Sequence, residues 1–393
     1  MKILHICTSG EYTDGFSYQD NLIAKYMKKD GLDVYVIASP CAYDEDGNTV
    51  FLPAPQRYVN ECGVKVTRLP FRKPFKVRRK LRSMKGFYEE LEKISPDVVF
   101  FHNPQTSDTA VLMKYLKKNP QVELYADSHI DFSNSATNWL SKHILHDIIW
   151  RHYVLKLKDR AIRFYGVLPA RVEFLQNVYH VPAEKTELLV MGGDDELVTA
   201  AENSGARKKI REKYGIAPDD FLVMTGGKID AFKTETLLLM QAVAEIKNEK
   251  LKLIVFGSVA PELKKRVNDL CDGKKIQYIG WVHAKDSYEY FAAADLVVFP
   301  GRHSVFWEQV TAQGVPMLCK KWHGTTHVDL DGNVKFLTRD SAEEIKEEIE
   351  RLLADPELYK EMKTVAEEKG KKVFSYADIS RRAIRDITAK KAK

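Results

Sequence analysis

Short apolar runs alternate with stretches whose apolar residues return every three or four positions. In the first half the runs at 3–7, 34–38, 64–69, 98–101, 122–125, 162–165 and 188–190 predict buried strands. Between them helical spacing holds over 18–29, 81–94, 109–118, 136–157 and 170–178. The second half repeats the alternation. Strands are expected at 221–224, 253–256, 276–279, 296–299 and 317–319, and helices at 234–246, 261–271 and 287–293. After Ser341 the pattern is helical, over 341–354, 356–371 and 376–389. Strands alternating with helices predict parallel sheets covered on both faces. The chain therefore reads as α/β, with two doubly wound Rossmann-like domains facing a cleft. The polar, unpatterned segment 192–205 is the expected linker. It implies a first domain over 1–191, a second over 192–373, and a C-terminal helix over 374–393 that could pack back on the first.

Composition narrows the class. The 393 residues are 30% charged and 44% hydrophobic, an ordinary globular balance. No apolar run approaches the roughly 20 residues that span a bilayer. The opening MKILHICTSG reads as a first strand, not a signal peptide. The five cysteines lack metal spacing, and Cys7 and Cys319 sit in apolar runs as expected buried thiols. That usage suits reducing cytoplasm. The net charge is only +6, yet 71–85 holds eight Lys or Arg and no acid. Such a patch suits an anionic partner, or is a solvated loop. Farther on, cations from Lys142 to Arg163 surround Trp150 and Tyr153, while Leu140, Ile144 and Ile148 form an apolar stripe beside Trp139. The stripe is expected to pack on the sheet, with an interfacial membrane helix as the other reading. Together the segments Arg72 to Lys85 and Lys142 to Arg163 suit an anionic membrane surface. A cytoplasmic location is expected, with peripheral contact to the inner membrane face left open, and no nucleic-acid partner.

Candidate chemistry collects after the strands, where open parallel sheets bind ligands. The stretch ADLVVFPGRHSVFWEQVTAQGVPML (294–318) reads as strand, tight turn, polar loop, helix and strand. Its loop offers Arg302, His303, Ser304, Trp307 and Glu308. Ser304 can cap a helix starting near Val305, and the N–H groups of a helix start favour an anion. After the run 221–224 comes Thr225-Gly226-Gly227-Lys228-Ile229-Asp230-Ala231-Phe232-Lys233. A glycine pair with two lysines at a helix start suits a diphosphate held without metal. The bland reading is a glycine turn with solvated lysines. Gly280-Trp281-Val282 could pair its backbone with a base edge, or merely pack. After the first strand, Gly10 and Gly15 allow backbone to approach a bound group closely. His129, in Asp127-Ser128-His129, follows a strand and could donate or carry a proton, or be structural; His102 is a weaker candidate of the same kind. A dinucleotide fingerprint, a Walker A loop and a Gly-x-Ser-x-Gly elbow are all absent. No His, Cys, Asp or Glu set has metal spacing, and the Gly and two Thr between His323 and His327 weaken a zinc reading. No metal is expected.

In this order the pieces resemble a GT-B-fold glycosyltransferase. The resemblance is to the large bacterial family of retaining, nucleotide-sugar-dependent enzymes (glycosyltransferase family 4-like) that build cell-surface polysaccharides and glycolipids. GFSYQDNLIAKYMKKDGLDVYVIAS looks like that family's first helix and second strand. TGGKIDAFKTETLLLMQAV is similar to its donor-diphosphate segment, IGWVHAKDSYEYFAAADLVVFP to its base-binding turn and following strand, and QVTAQGVPML to its Glu-Ala-x-Ala-x-Gly-x-Pro segment. The resemblance implies sugar transfer, with retention, from a nucleotide-diphosphate sugar to a carbohydrate or lipid-linked acceptor. A UDP-sugar is the expected donor, and no cofactor is implied. It assigns Lys228 and Lys233 to the diphosphate, the backbone at Val282 to the base, and His129 to the sugar. There are two departures. Lys228 stands where the family more often has Arg, losing a bidentate fork. The family's paired Glu, one facing the sugar and one the ribose, fall on Gly301 and Gln309, with Glu308 one residue early. Either Glu308 or Gln309 then binds the ribose, and Arg302 or His303 supplies the sugar contacts. A nucleotide-sugar 2-epimerase and a non-catalytic nucleotide-sugar-binding protein are the alternatives; no matching acid–base set for the epimerase is visible.

Overall fold

The computed structural model describes residues 1–44, 48–74, 79–231 and 233–386. The chain divides into two units, one of Met1–Val190 with the residues from Ile379 onward, the other of Met191–Asp378.

The first unit is built on an eight-stranded sheet. Its strands are β1 (Lys2–Cys7), β2 (Asp33–Ala38), β5 (Gln56–Val59), β6 (Lys65–Arg68), β7 (Val98–His102), β8 (Glu123–Ser128), β9 (Ala161–Gly166) and β10 (Thr186–Leu188). A separate antiparallel pair, β3 (Cys41–Tyr43) and β4 (Thr49–Phe51), lies between β2 and β5 in the chain. The sheet order is β10-β9-β8-β7-β1-β2-β6-β5, parallel except for β5 against β6. Apolar runs expected as strands are strands, because each side of the central sheet is covered, except that the run at 188–190 only meets the end of β10, Thr186–Leu188. Val99 and Phe101 meet Phe87, Leu91, Leu112 and Leu116 from the helices Phe87–Ile94 and Thr109–Lys118. The helix expected from 81 starts only at Phe87. Gly86 at its N-cap has φ of +82°, and Arg82 is also left-handed, so the chain turns there first. The strands β3, β4 and β5 escape the sequence pattern because they are only three or four residues long, and β4 and β5 are largely exposed as well.

The stripe expected to pack on the sheet does not. Leu140, Ile144 and Ile148 are 64%, 39% and 59% exposed, while His146, Trp150 and Val154 are buried. From Ser141 to Trp150 the helix is π-wound, then continues as Arg151–Leu155. Closing i→i+5 hydrogen bonds puts more residues in each turn, so positions four apart stay nearly aligned. The result is one buried and one exposed stripe, each at spacing four.

The second unit holds a six-stranded parallel sheet in the order β13-β12-β11-β14-β15-β16. These are β11 (Phe221–Gly226), β12 (Leu251–Phe256), β13 (Ile276–Tyr278), β14 (Leu296–Phe299), β15 (Met317–Lys320) and β16 (Val334–Leu337). Val223, Leu253 and Val298 of its centre pack against Leu237, Met240 and Val243 of the helix Glu235–Glu245. The expected linker at 192–205 is instead mostly helix, Asp195–Asn203. Asp194 caps it by accepting from the Glu196 N–H at 3.1 Å, and Val198 and Ala201 pack on Tyr288. Two small apolar contacts in a polar helix leave little trace in a hydrophobic pattern. A further helix, Ala206–Lys213, was hidden by its charge; Arg211 is buried in it and donates to Asp295 at 3.1 Å.

The tail helix Tyr376–Ala383 contains the second crossing between units. Beyond it Asp386 accepts from Arg163 at 3.4 Å and Arg385 pairs with Glu187 at 2.6 Å, both within the first unit. The expected end of this helix, 387–389, lies outside the described residues, as do 75–78 of the basic segment and Phe232 of the lysine loop.

Candidate functional site

Among the parallel strands, each sheet has one point where the chain reverses its direction of travel across the sheet, β1 against β7 in the first unit and β11 against β14 in the second. Loops leaving neighbouring strand ends part there and open a crevice.

In the second unit that crevice is a pocket of about 120 Å³, lined at one side by Gly226, Gly227, Lys228, Lys233 and Glu235 and at the other by Gly301, Arg302 and Ser304. Drug-sized sites run roughly 300–1,000 Å³, so this one fits part of a ligand, such as a diphosphate. The expected lysines and Arg302 thus converge from loops 69 residues apart. The loop is set by close backbone contact. A Cβ on Gly226 would stand 2.3 Å from the Phe256 ring, and one on Gly257 would stand 1.9 Å from the Gly227 carbonyl oxygen. The Gly227 N–H donates to Phe256 O at 3.0 Å, and Ile229 N–H to Ser258 O at 2.8 Å. Lys228 is exposed and pairs with Asp230 at 3.2 Å, which partly offsets its charge. The Lys233 N–H donates to Asp230 O at 2.9 Å. Ser304 Oγ accepts weakly from the Phe306 N–H at 3.4 Å, at the start of the helix Phe306–Ala312.

Glu308 and Gln309 do not stand among the pocket's lining residues. Glu308 is 0% exposed, and its Oε1 accepts from His303 Nε2 and His327 Nε2, each at 2.8 Å. Burial pushes its carboxyl up, but the two imidazoles outweigh burial and hold it below the usual carboxylate range. This corrects the expectation that Glu308 meets ribose hydroxyls or reacting atoms: its carboxylate ties the 302–304 loop to the 323–328 segment instead. His303 likewise spends Nε2 on Glu308 and is not a lining residue. Gln309 is buried and donates to Ser287 Oγ at 2.9 Å. Val282 is half-buried in the loop after β13, where Gly280 has φ of +80° and its carbonyl accepts from Gly257 N–H at 2.7 Å.

In the first unit, Ser9 follows β1 and donates to the Asn103 carbonyl after β7. Gly10 O accepts from Ser39 Oγ at 2.7 Å, and Gly15, with φ of +76°, donates to Glu61 at 2.8 Å. His129 follows β8, one quarter exposed, with Nε2 3.2 Å from Asp127 Oδ2. The same oxygen meets His102 Nδ1 at 2.8 Å, and His102 Nε2 meets His5 Nδ1 at 2.9 Å. Asp20 lies 3.8 Å from both His102 and His129. Burial raises the Asp127 carboxyl, yet His102 and His129 outweigh it and hold it below the ordinary range. Burial lowers His102, but Asp127 and Asp20 win and its pKa is raised. A carboxylate so placed fixes the orientation of the His129 ring.

Among the described residues two groups have ligand atoms close enough for a cation, Asp20–His102–His129 and His303–Glu308–His327. In both, ring nitrogens already lie within 3.2 Å of a carboxylate oxygen. The sequence named His129 with Asp127 and His102, and Glu308 with His303, but did not join them to their remote neighbours. His5, Asp20 and His327 come from remote positions, and no local spacing could join them. Glu235 was missed because it reads as an ordinary first-turn acid, and Gly257 because its strand end stood apart from the glycine pair.

Residues 206–369 match the family model described as Glycosyl transferases group 1. No curated protein matches the chain. Among solved structures, Alr3699/HepE from Anabaena in complex with UDP is 16% identical, with TM-score 0.69, over 99% of this chain and 100% of that one. A glycosyltransferase from Rickettsia africae is 14% identical, with TM-score 0.70, over 99% and 98% of the two chains. The UDP-GlcNAc 2-epimerase from Neisseria meningitidis, bound to UDP-GlcNAc, is 14% identical, with TM-score 0.64, over 99% and 100%. Likeness at that identity carries the fold, and the family match falls within the second unit: the chain has the two-unit GT-B fold, and its residues 206–369 match the Glycosyl transferases group 1 model.

Proposed function

We propose that the protein transfers a sugar from a nucleotide-diphosphate sugar, a UDP-sugar first among them, to a carbohydrate or lipid-linked acceptor. The observation that carries this is the convergence of Lys228, Lys233 and Arg302 on one pocket at the second unit's switch point. Breaking the bond from the sugar C1 to the phosphate oxygen builds charge on the leaving diphosphate. Lysine, arginine and backbone N–H groups aimed at that charge stabilise it, in place of a metal ion. Neighbours solved with UDP and with UDP-glucose support a nucleotide sugar as the donor. In the first unit His129, held by Asp127, is our candidate for handling the sugar or the acceptor hydroxyl. Retention of configuration and a place in polysaccharide or glycolipid synthesis belong to the same reading.

The exposed stripe Leu140, Ile144 and Ile148, with Trp139 69% exposed and Lys142 beside it, supports peripheral contact with an anionic membrane surface. Among the described residues no helix is long and apolar enough to cross a membrane.

The test incubates the protein with nucleotide sugars, with and without a panel of free and lipid-linked saccharides. Release of nucleoside diphosphate that requires an acceptor is the expected result. A 2-epimer formed from donor alone would move the protein to the isomerases. Lys233→Ala should lower turnover about a hundredfold while circular dichroism stays unchanged; near-normal turnover contradicts the role.

A further inference from the structure

Among the cations of the second unit's pocket stands one carboxylate. Glu235 opens the helix Glu235–Glu245 and lines the pocket with Lys228, Lys233 and Arg302. Its Oε2 is buried and has no hydrogen-bond partner. Directly opposite is Gly301, at the end of β14, where a Cβ would stand 3.0 Å from that same oxygen. A buried carboxylate oxygen without a donor is costly. It would also repel a phosphate placed against it. Phosphate therefore goes to the lysines, and Glu235 needs a neutral donor beside it.

We propose that Glu235 is a specificity-determining residue that accepts a hydrogen bond from a hydroxyl of the donor sugar, the part of a nucleotide-diphosphate sugar adjoining the phosphates. This rests on the reading of the pocket as a diphosphate site. Glycine at position 301 leaves that carboxylate its room: a Cβ there would press on Glu235 Oε2 at 3.0 Å. The carboxylate thus stands on a helix start rather than on the β14 loop. A site that accepts from a hydroxyl discriminates strongly against a ligand lacking it.

The test compares a nucleotide sugar with its bare nucleotide. UDP-glucose, UDP-N-acetylglucosamine, UDP-galactose and GDP-mannose, with UDP and GDP, are titrated calorimetrically into the whole protein and into Glu235→Gln. Glu235→Gln should weaken the best nucleotide sugar about tenfold to a hundredfold and should not weaken the matching nucleoside diphosphate, since it removes a negative charge from the pocket. Gly301→Ala, which crowds the carboxylate without removing it, should show the same split. Equal loss of sugar and bare nucleotide overturns the proposal, because Glu235 would then act on the loop as a whole. So does an unchanged affinity for both. If the unaltered protein binds bare nucleotide but gains nothing from any sugar, the proposal fails while the diphosphate site stands. If it binds none of the six, the diphosphate site fails first and the proposal with it.

Discussion

Glu308 shows how a residue can be visible in the sequence while its work is not. It stood out as an acid near the end of a polar loop, and its partners are five residues before it and nineteen after it. Only the fold brings His327 to it. Removing one partner of a buried, hydrogen-bonded charge cluster typically costs about 3–5 kcal/mol. Glu308→Gln should therefore lower the melting temperature clearly, as read by calorimetry. The pH dependence follows from the sign of the shift. A carboxyl held below its unfolded value contributes stability above about pH 4, and loses it as pH falls through the folded value. The unaltered protein should lose stability in that acid range, and Glu308→Gln should flatten the dependence. An unchanged acid limb would contradict the cluster. The gathering of Lys228, Lys233 and Arg302 at one pocket was legible for the opposite reason: the two lysines follow β11 and the arginine follows β14, so strand-end reasoning alone gathers them.

Among the elements, continuous apolar runs such as β7, β12 and β14 were legible to within a residue or two, because burial on both faces writes itself along the strand. β16 was not, since a lysine interrupts its four residues. The loop from β11 shows what a glycine does when backbones touch. Gly257 has φ of +126° and no room for a Cβ, whereas Gly273, with φ of +73°, has nothing within 4 Å. Gly257→Ala should abolish nucleotide binding and cost several times the stability lost by Gly273→Ala, which is about 1 kcal/mol. Equal losses in chemical denaturation would show that the close approach does not matter. The π-wound helix is the other element the pattern misjudged. Its stripe has helical spacing, but extra residues per turn carry it to the exposed face. Ile144→Glu with Ile148→Glu should abolish sedimentation with vesicles containing phosphatidylglycerol and leave folding intact. Sedimentation equal to that of the unaltered protein would remove the stripe from the account.

At the scale of the whole molecule, alternation of strands and helices was enough to foresee two doubly wound sheets. It could not give their order, which depends on which strands pair. That order matters, because it puts Ser9 beside Asn103 in one unit and the glycine–lysine loop beside Arg302 in the other. The boundary between the units falls at Val190–Met191, ahead of the polar segment, since that segment folds as a helix of the second unit. The central claim is that the second unit's switch point holds a diphosphate. Calorimetric titration of UDP, GDP and ADP, each with inorganic pyrophosphate as competitor, tests it most directly. The account predicts that at least one nucleotide binds, that pyrophosphate displaces it, and that Lys228→Ala with Lys233→Ala weakens it at least tenfold, the loss of roughly 1.4 kcal/mol. Binding that the double variant leaves untouched, or no binding by any of the three, would contradict it.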